Sequence, residues 1–153
     1  MMQVRVTTYL AATPPAVCDH VTTSRLLIYV SGGILSMQAV DPPELPAHWK
    51  KGKYLVRMRL FGLIPIGKQY IGIENPTPGD DWVLRDNGSG TIARVWDHHI
   101  YIGPEGAGTR YVDRVRIEAG VLTPLVVVFA SVLYRYRQYR WRRLVRNGFD
   151  YEK

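Results

Sequence analysis

The spacing of apolar residues changes twice along the chain, and the changes mark out its elements. Gln3 to Ala11 is rich in Val, Thr and Tyr between turn-like flanks, which predicts a first strand. Thr13 then supplies an N-cap and Pro14 the first helical position, where a missing N–H costs nothing. A short helix is expected from Pro14 to about Val21. A second, starting near Thr23 or Ser24 and carrying Leu26, Leu27 and Tyr29, must stop before Gly32-Gly33.

From Ile34 the period falls to two, predicting strands at Ile34 to Val40, Lys53 to Phe61, Ile66 to Glu74, Asp81 to Asp86, Thr91 to Ile102 and Thr109 to Ala119. Turn-forming groups separate them: Asp41-Pro42-Pro43, Asn75 to Gly79, Asn87-Gly88-Ser89-Gly90 and Gly103-Pro104-Glu105-Gly106. The period then returns to helical. Thr123 reads as a cap, Pro124 as the opening, and Asn147-Gly148 closes a run of 24 residues, about 36 Å long. Leu122, Leu125, Val126, Phe129, Leu133, Tyr136, Arg140 and Leu144 recur at three- and four-residue steps and predict the face that packs on the sheet. Val121 to Tyr134 is nearly apolar all round, but its ~14 residues fall short of the ~20 that span a bilayer. Burial, a partner or a membrane surface must cover the second face. The fold class expected is α+β, a single domain over residues 1–153 in which a curved antiparallel sheet of seven strands closes on the last helix.

Composition adds limits. With 46% hydrophobic residues the chain can bury an ordinary core. No basic segment precedes an apolar one at the start, so secretion is not expected, and Cys18 is the single cysteine, which rules out an intrachain disulfide and fits a reducing, cytoplasmic setting. The net charge of +7 is concentrated: Arg135, Arg137, Arg140, Arg142, Arg143 and Arg146 fall in one stretch, and the rest of the chain is close to neutral. That helix end, interleaved with Tyr134, Tyr136, Tyr139 and Trp141, suits an anionic membrane surface, or arginine stems that cover a sheet edge while their heads complement the helix C-terminus. Nucleic acid is disfavoured because no group that reads bases is visible.

The order strand, two short helices, six strands and long C-terminal helix resembles the helix-grip fold of the SRPBCC superfamily, which includes START lipid-transfer domains, the birch-pollen allergen type and polyketide cyclase-like proteins. Its most specific part is Trp96-x-His98, a Gly103 to Gly108 hairpin, then Thr109-x-x-x-Asp113-x-Val115-x-Ile117. The resemblance implies an internal cavity for lipids, hormones, polyketides or other small hydrophobic molecules.

Candidate chemistry follows from strand parity. A turn centred between Glu105 and Gly106 would pair Ile102 with Thr109, Ile100 with Tyr111, His98 with Asp113 and Trp96 with Val115. Trp96, Ile100, Ile102, Tyr111, Val115 and Ile117 then face the helix, while Asp97, His99, Arg110, Arg114 and Arg116 face outward. His98 and Asp113 become inward neighbours. A carboxylate beside an imidazole fixes its tautomer and suits it to acid–base work on a carbonyl or enol, as in a cyclase or dehydratase; the alternative is a buried tie between two strands. The cavity lining is expected to include Tyr54, Met58, Trp96, Ile100, Tyr111, Val115 and Phe129. No metal or cofactor is expected, because adjacent His98 and His99 point to opposite faces and the Gly103 to Gly108 loop joins two strands without the helix N-terminus a phosphate site needs. The expected partner is a small hydrophobic ligand, with a homodimer compatible with the pattern.

Overall fold

The computed structural model describes residues 1–153. Chain order is β1 (Met2–Leu10), α1 (Pro14–Val21), α2 (Ser24–Ser31), β2 (Leu35–Asp41), β3 (Gly52–Leu60), β4 (Ile64–Glu74), β5 (Leu84–Gly90), β6 (Val95–Glu105), β7 (Gly108–Glu118) and α3 (Thr123–Arg146). The seven strands form one antiparallel sheet in the order β1-β7-β6-β5-β4-β3-β2. After β1 the chain crosses to the far edge through α1 and α2, then returns strand by strand. Helix α3 lies across the concave side, mainly over β1 and β7 and against α2.

The two short helices start as their sequences dictate. The Thr13 and Thr23 hydroxyls accept from the Ala16 and Leu26 amides, each satisfying an otherwise orphaned first-turn donor. Thr123 differs from the expected cap. It is the first residue of α3, preceded by a short 3-10 turn over Gly120–Leu122, and its hydroxyl accepts from Ala119 N while donating to Gly120 O.

Two turns also lie elsewhere than expected. Asn87-Gly88-Ser89-Gly90 is the end of β5, and the turn falls at Thr91 to Arg94. Sheet curvature explains this: a Cβ on Gly72 would meet Asn87 O at 2.4 Å, and one on Gly90 would meet Lys68 O at 2.5 Å. These glycines let β4 and β5 approach where the sheet bends, a use of glycine that reads as a turn in sequence. Likewise β6 runs on to Glu105, and only Gly106-Ala107 turn, with Gly106 at φ 56.

The core divides. One cluster joins α1 and α2 to β3–β7 through Leu10, Val17, Leu26, Val56, Ile71, Ile100, Tyr111 and Trp141; the other joins β1 and β7 to the front half of α3 through Val4, Val115, Ile117, Val126, Ala130 and Tyr134. Between α3 and strands β2 to β5 a space is left.

Candidate functional site

That space is a cavity of ≈ 330 Å³ lined by 21 residues, of which 17 are hydrophobic. The size falls in the range of small-molecule sites. Leu122, Leu125 and Ile92 lie at its mouth, each at least 40% exposed. A polar partition of Asp86, His98 and Arg137 forms its inner end, shared with a smaller inner cavity of ≈ 40 Å³. Leu125 and Arg137 are twelve residues apart on α3, so the passage from mouth to partition runs roughly 18 Å.

The partition is assembled by three elements. On β5 alternation turns Leu84, Asp86 and Gly88 inward, and the Asp86 carboxylate accepts from Gly72 N at 2.8 Å, occupying a gap in the β4–β5 ladder. Asp86 is the cross-strand partner of His98 on β6. Burial pushes its carboxyl up to about 6, against the Gly72 hydrogen bond and the nearby His98 and Arg137, which pull it down.

Behind His98 lies Asp113, 3% exposed. The His98 ring bonds through Nε2 to Asp113 Oδ1 at 2.7 Å; Gln138 Nε2 donates to Oδ2 at 3.0 Å and the Tyr111 hydroxyl to Oδ1 at 3.4 Å. With a carboxylate as acceptor, Nε2 carries the proton and a neutral ring keeps its lone pair on Nδ1. Gln138 also donates to Val6 O at 2.7 Å, so one amide of α3 ties Asp113 to the edge strand β1. Burial raises the phenols of Tyr111 and Tyr134, keeping both protonated, and the Tyr134 hydroxyl accepts from Trp96 Nε1 at 3.1 Å.

His98 and Asp113 meet, but not across the strands as expected. The turn is centred one residue later, so His98 pairs with Val115 and Asp113 with Ile100, and the side chains reach each other diagonally. The displacement keeps every odd–even pairing, which is why the inward set keeps its face. Arg94 lies outside the sheet face, in the β5–β6 turn, paired with Glu118.

Of the expected lining, Met58, Trp96 and Phe129 border the main cavity, whereas Ile100 and Tyr111 border the inner one. Tyr54 and Val115 border neither: the Tyr54 hydroxyl donates to Lys50 O at 2.7 Å, and Val115 is fully buried against the front half of α3. Strand parity selects a face, but distance from α3 decides which residues on that face touch open space.

Arg137, Asp86, Gln69 and Gln138 are functional candidates that sequence reasoning passed over. Arg137 sits in the seam Val126, Ala130, Leu133, Arg137, Trp141, Leu144, whose four- and three-residue steps are regular. That seam, not the one through Leu122, Leu125 and Tyr136, is the face α3 turns to the sheet; Leu125 is 67% exposed. The guanidinium lies 4.7 Å from the Tyr134 ring and forms no ion pair. Burial would lower it, but Tyr134, Asp113, Tyr111 and Asp86 together hold it raised. Gln69 borders the main cavity with a buried Nε2 that has no partner.

Half of the six arginines at the end of α3 are spent inside the molecule. Arg140 donates to Tyr29 O and stacks on its ring at 4.2 Å, and Arg142 donates to Thr8 on β1. With Arg137 inside, Arg135, Arg143 and Arg146 are the three that remain exposed. No cluster of His, Cys, Asp and Glu with metal-binding geometry exists.

Solved structures share this architecture along nearly the whole chain. A protein from Chromobacterium violaceum superposes with a TM-score of 0.70 at 12% identity, over 94% of this chain and 97% of that one. A START superfamily protein from Mycobacterium smegmatis gives 0.66 at 12% identity, over 95% and 97%. The Aha1 dimer from Colwellia psychrerythraea gives 0.64 at 11% identity, over 95% and 96%. At such identities the likeness shows the fold alone, a helix-grip fold. No curated protein matches the chain. Residues 10–147 match the family described as Domain of unknown function (DUF8410), and since they make up most of the chain, this helix-grip protein belongs to that family.

Proposed function

We propose that the protein binds a small, mainly apolar molecule in the cavity between α3 and the sheet, with one hydrogen-bonding group of the ligand directed at the Asp86–His98–Arg137 partition. The observation that carries this is the lining: 17 hydrophobic residues of 21, with the charged groups gathered at the inner end. Apolar walls contribute affinity through area removed from water, while a few placed polar groups fix orientation. The unpartnered Gln69 amide supports a ligand oxygen along the same floor, because a buried donor left unpaired costs about 1–3 kcal/mol. The test is native mass spectrometry of freshly purified protein for a copurified apolar molecule, with titration of a fluorescent fatty acid. Phe129→Arg is expected to abolish binding; unchanged binding would place the ligand elsewhere.

A second reading is proton transfer at His98, in the manner of a polyketide cyclase or dehydratase. It is favoured by His98 bordering the lumen while Asp113 sits behind it, the arrangement a general base and its orienting carboxylate would need. Hydrogen–deuterium exchange of a bound 1,3-diketone, followed by NMR, checks it. Equal rates for the wild type and His98→Asn would leave binding as the sole function.

A further inference from the structure

We propose that the cavity mouth docks on an anionic lipid surface, through the exposed flank of α3 and the β3–β4 tip. This concerns the outside of the molecule and goes beyond ligand binding. Leu125, Val128 and Val132 recur at steps of three and four residues on α3, so they share one helix face, and Val121 precedes them in the 3-10 turn. Val121, Leu125, Val128 and Val132 are 96%, 67%, 62% and 57% exposed. Across the mouth the β3–β4 tip presents Phe61 and Leu63, 62% and 80% exposed. The two patches flank one opening, since Leu60 and Ile66 beside the tip line the same cavity as Leu122 and Leu125. Contiguous exposed apolar surface of this kind marks an interaction site.

Gly120–Arg146 is long and apolar enough to cross a membrane by length and composition, yet only 28% of its most apolar window is buried in the fold. The buried part is committed: Val126, Ala130 and Leu133 pack in the core and Gln138 holds Asp113. The surplus is therefore a surface face of a packed helix.

Charge selects the occupant. The segments that frame the mouth, 57–68, 90–96 and 119–135, contain Arg57, Arg59, Lys68, Arg94 and Arg135 and no Asp or Glu. Glu118, at the end of β7, pairs with Arg94. A second copy docked twofold through this face would set cations against cations, because such an interface must complement itself. An anionic bilayer meets both needs, with apolar side chains entering the headgroup boundary and cations facing phosphate and carboxylate. Leu122 and Leu125 belong to the lining and to the patch, so docking would open the cavity towards the lipid phase.

The experiment is cosedimentation of the full chain with vesicles of phosphatidylcholine, with and without phosphatidylserine. Binding to the anionic vesicles is expected, at least about fivefold stronger than to the neutral ones and weakened by salt. The double variant Val128→Glu/Leu63→Glu changes two exposed side chains outside the cavity lining and is expected to lose about tenfold or more in vesicle affinity. Its circular dichroism and fatty-acid titration should match the wild type, which separates docking from the cavity reading; a cavity that binds nothing would leave the vesicle result standing. Absence of wild-type binding to phosphatidylserine vesicles overturns the proposal, as does equal binding by the double variant. A wild-type dimer that the double variant converts to monomer, without vesicle binding, overturns it in favour of a second copy.

Discussion

Asp113 is held by three donors, from His98, Tyr111 and Gln138, and is reached by almost no solvent. Replacing it with alanine leaves His98 and Tyr111 without their acceptor and Gln138 with Val6 O alone, and about 3–5 kcal/mol of stability should be lost in urea unfolding. The cycle with His98→Ala should return a coupling of about 1–3 kcal/mol; additive losses would mean that the 2.7 Å contact carries no energy. Asp86 acts in the opposite sense. Its folded value of about 6 lies above the ordinary 3.8. The unfolded chain therefore ionises first as pH rises, and the stability this group contributes below 3.8 is lost by the time pH passes 6. Asp86→Asn keeps an oxygen for the Gly72 amide and should be more stable than the wild type at pH 7.5 by up to about 3 kcal/mol, with the two converging below pH 4. A pH-independent difference would show that burial does not govern this carboxyl. Neither Asp86 nor Arg137 was legible as a site residue, because each looks in sequence like an ordinary surface charge, one beside a turn motif and one inside an arginine run.

The strand pair β4–β5 owes its close approach to glycine. Gly72→Ala would put a Cβ 2.4 Å from Asn87 O, against backbone that cannot move without opening the ladder that seats Asp86. About 1–3 kcal/mol of destabilisation is expected, with faster amide exchange confined to β4 and β5. Gly103→Ala, in open space, should change neither. On α3 the helical period correctly predicted one helix of 24 residues, but a helix apolar on more than one face has no single seam to choose. Packing chose the seam through Ala130 and Trp141 and left Val121, Leu125 and Val128 outside.

Across the whole molecule, ligand binding and folding are linked, because the cavity exists only when α3 is seated on the sheet. A ligand present at one hundred times its dissociation constant adds about 2.7 kcal/mol, which for a domain of this length is a rise in Tm of roughly 5–10 °C. Thermal unfolding with and without fatty acid measures it, and Phe129→Arg should show no rise. The succession of periods along the chain was enough to determine the element order, the seven antiparallel strands and the long final helix, because side-chain alternation and helical periodicity are local consequences of backbone geometry. Strand parity and a turn centred between Glu105 and Gly106 put His98 and Asp113 on one face, and that survived displacement of the turn centre by one whole residue. Only the tertiary structure decided which inward residues border open space, why Tyr54 and Val115 are core while Gln69 and Arg137 line the cavity, and which flank of α3 stays bare. The physical reason is that a cavity is the volume left between elements packed at a distance set by sheet curvature and by side chains far apart in sequence, and no local period carries that distance.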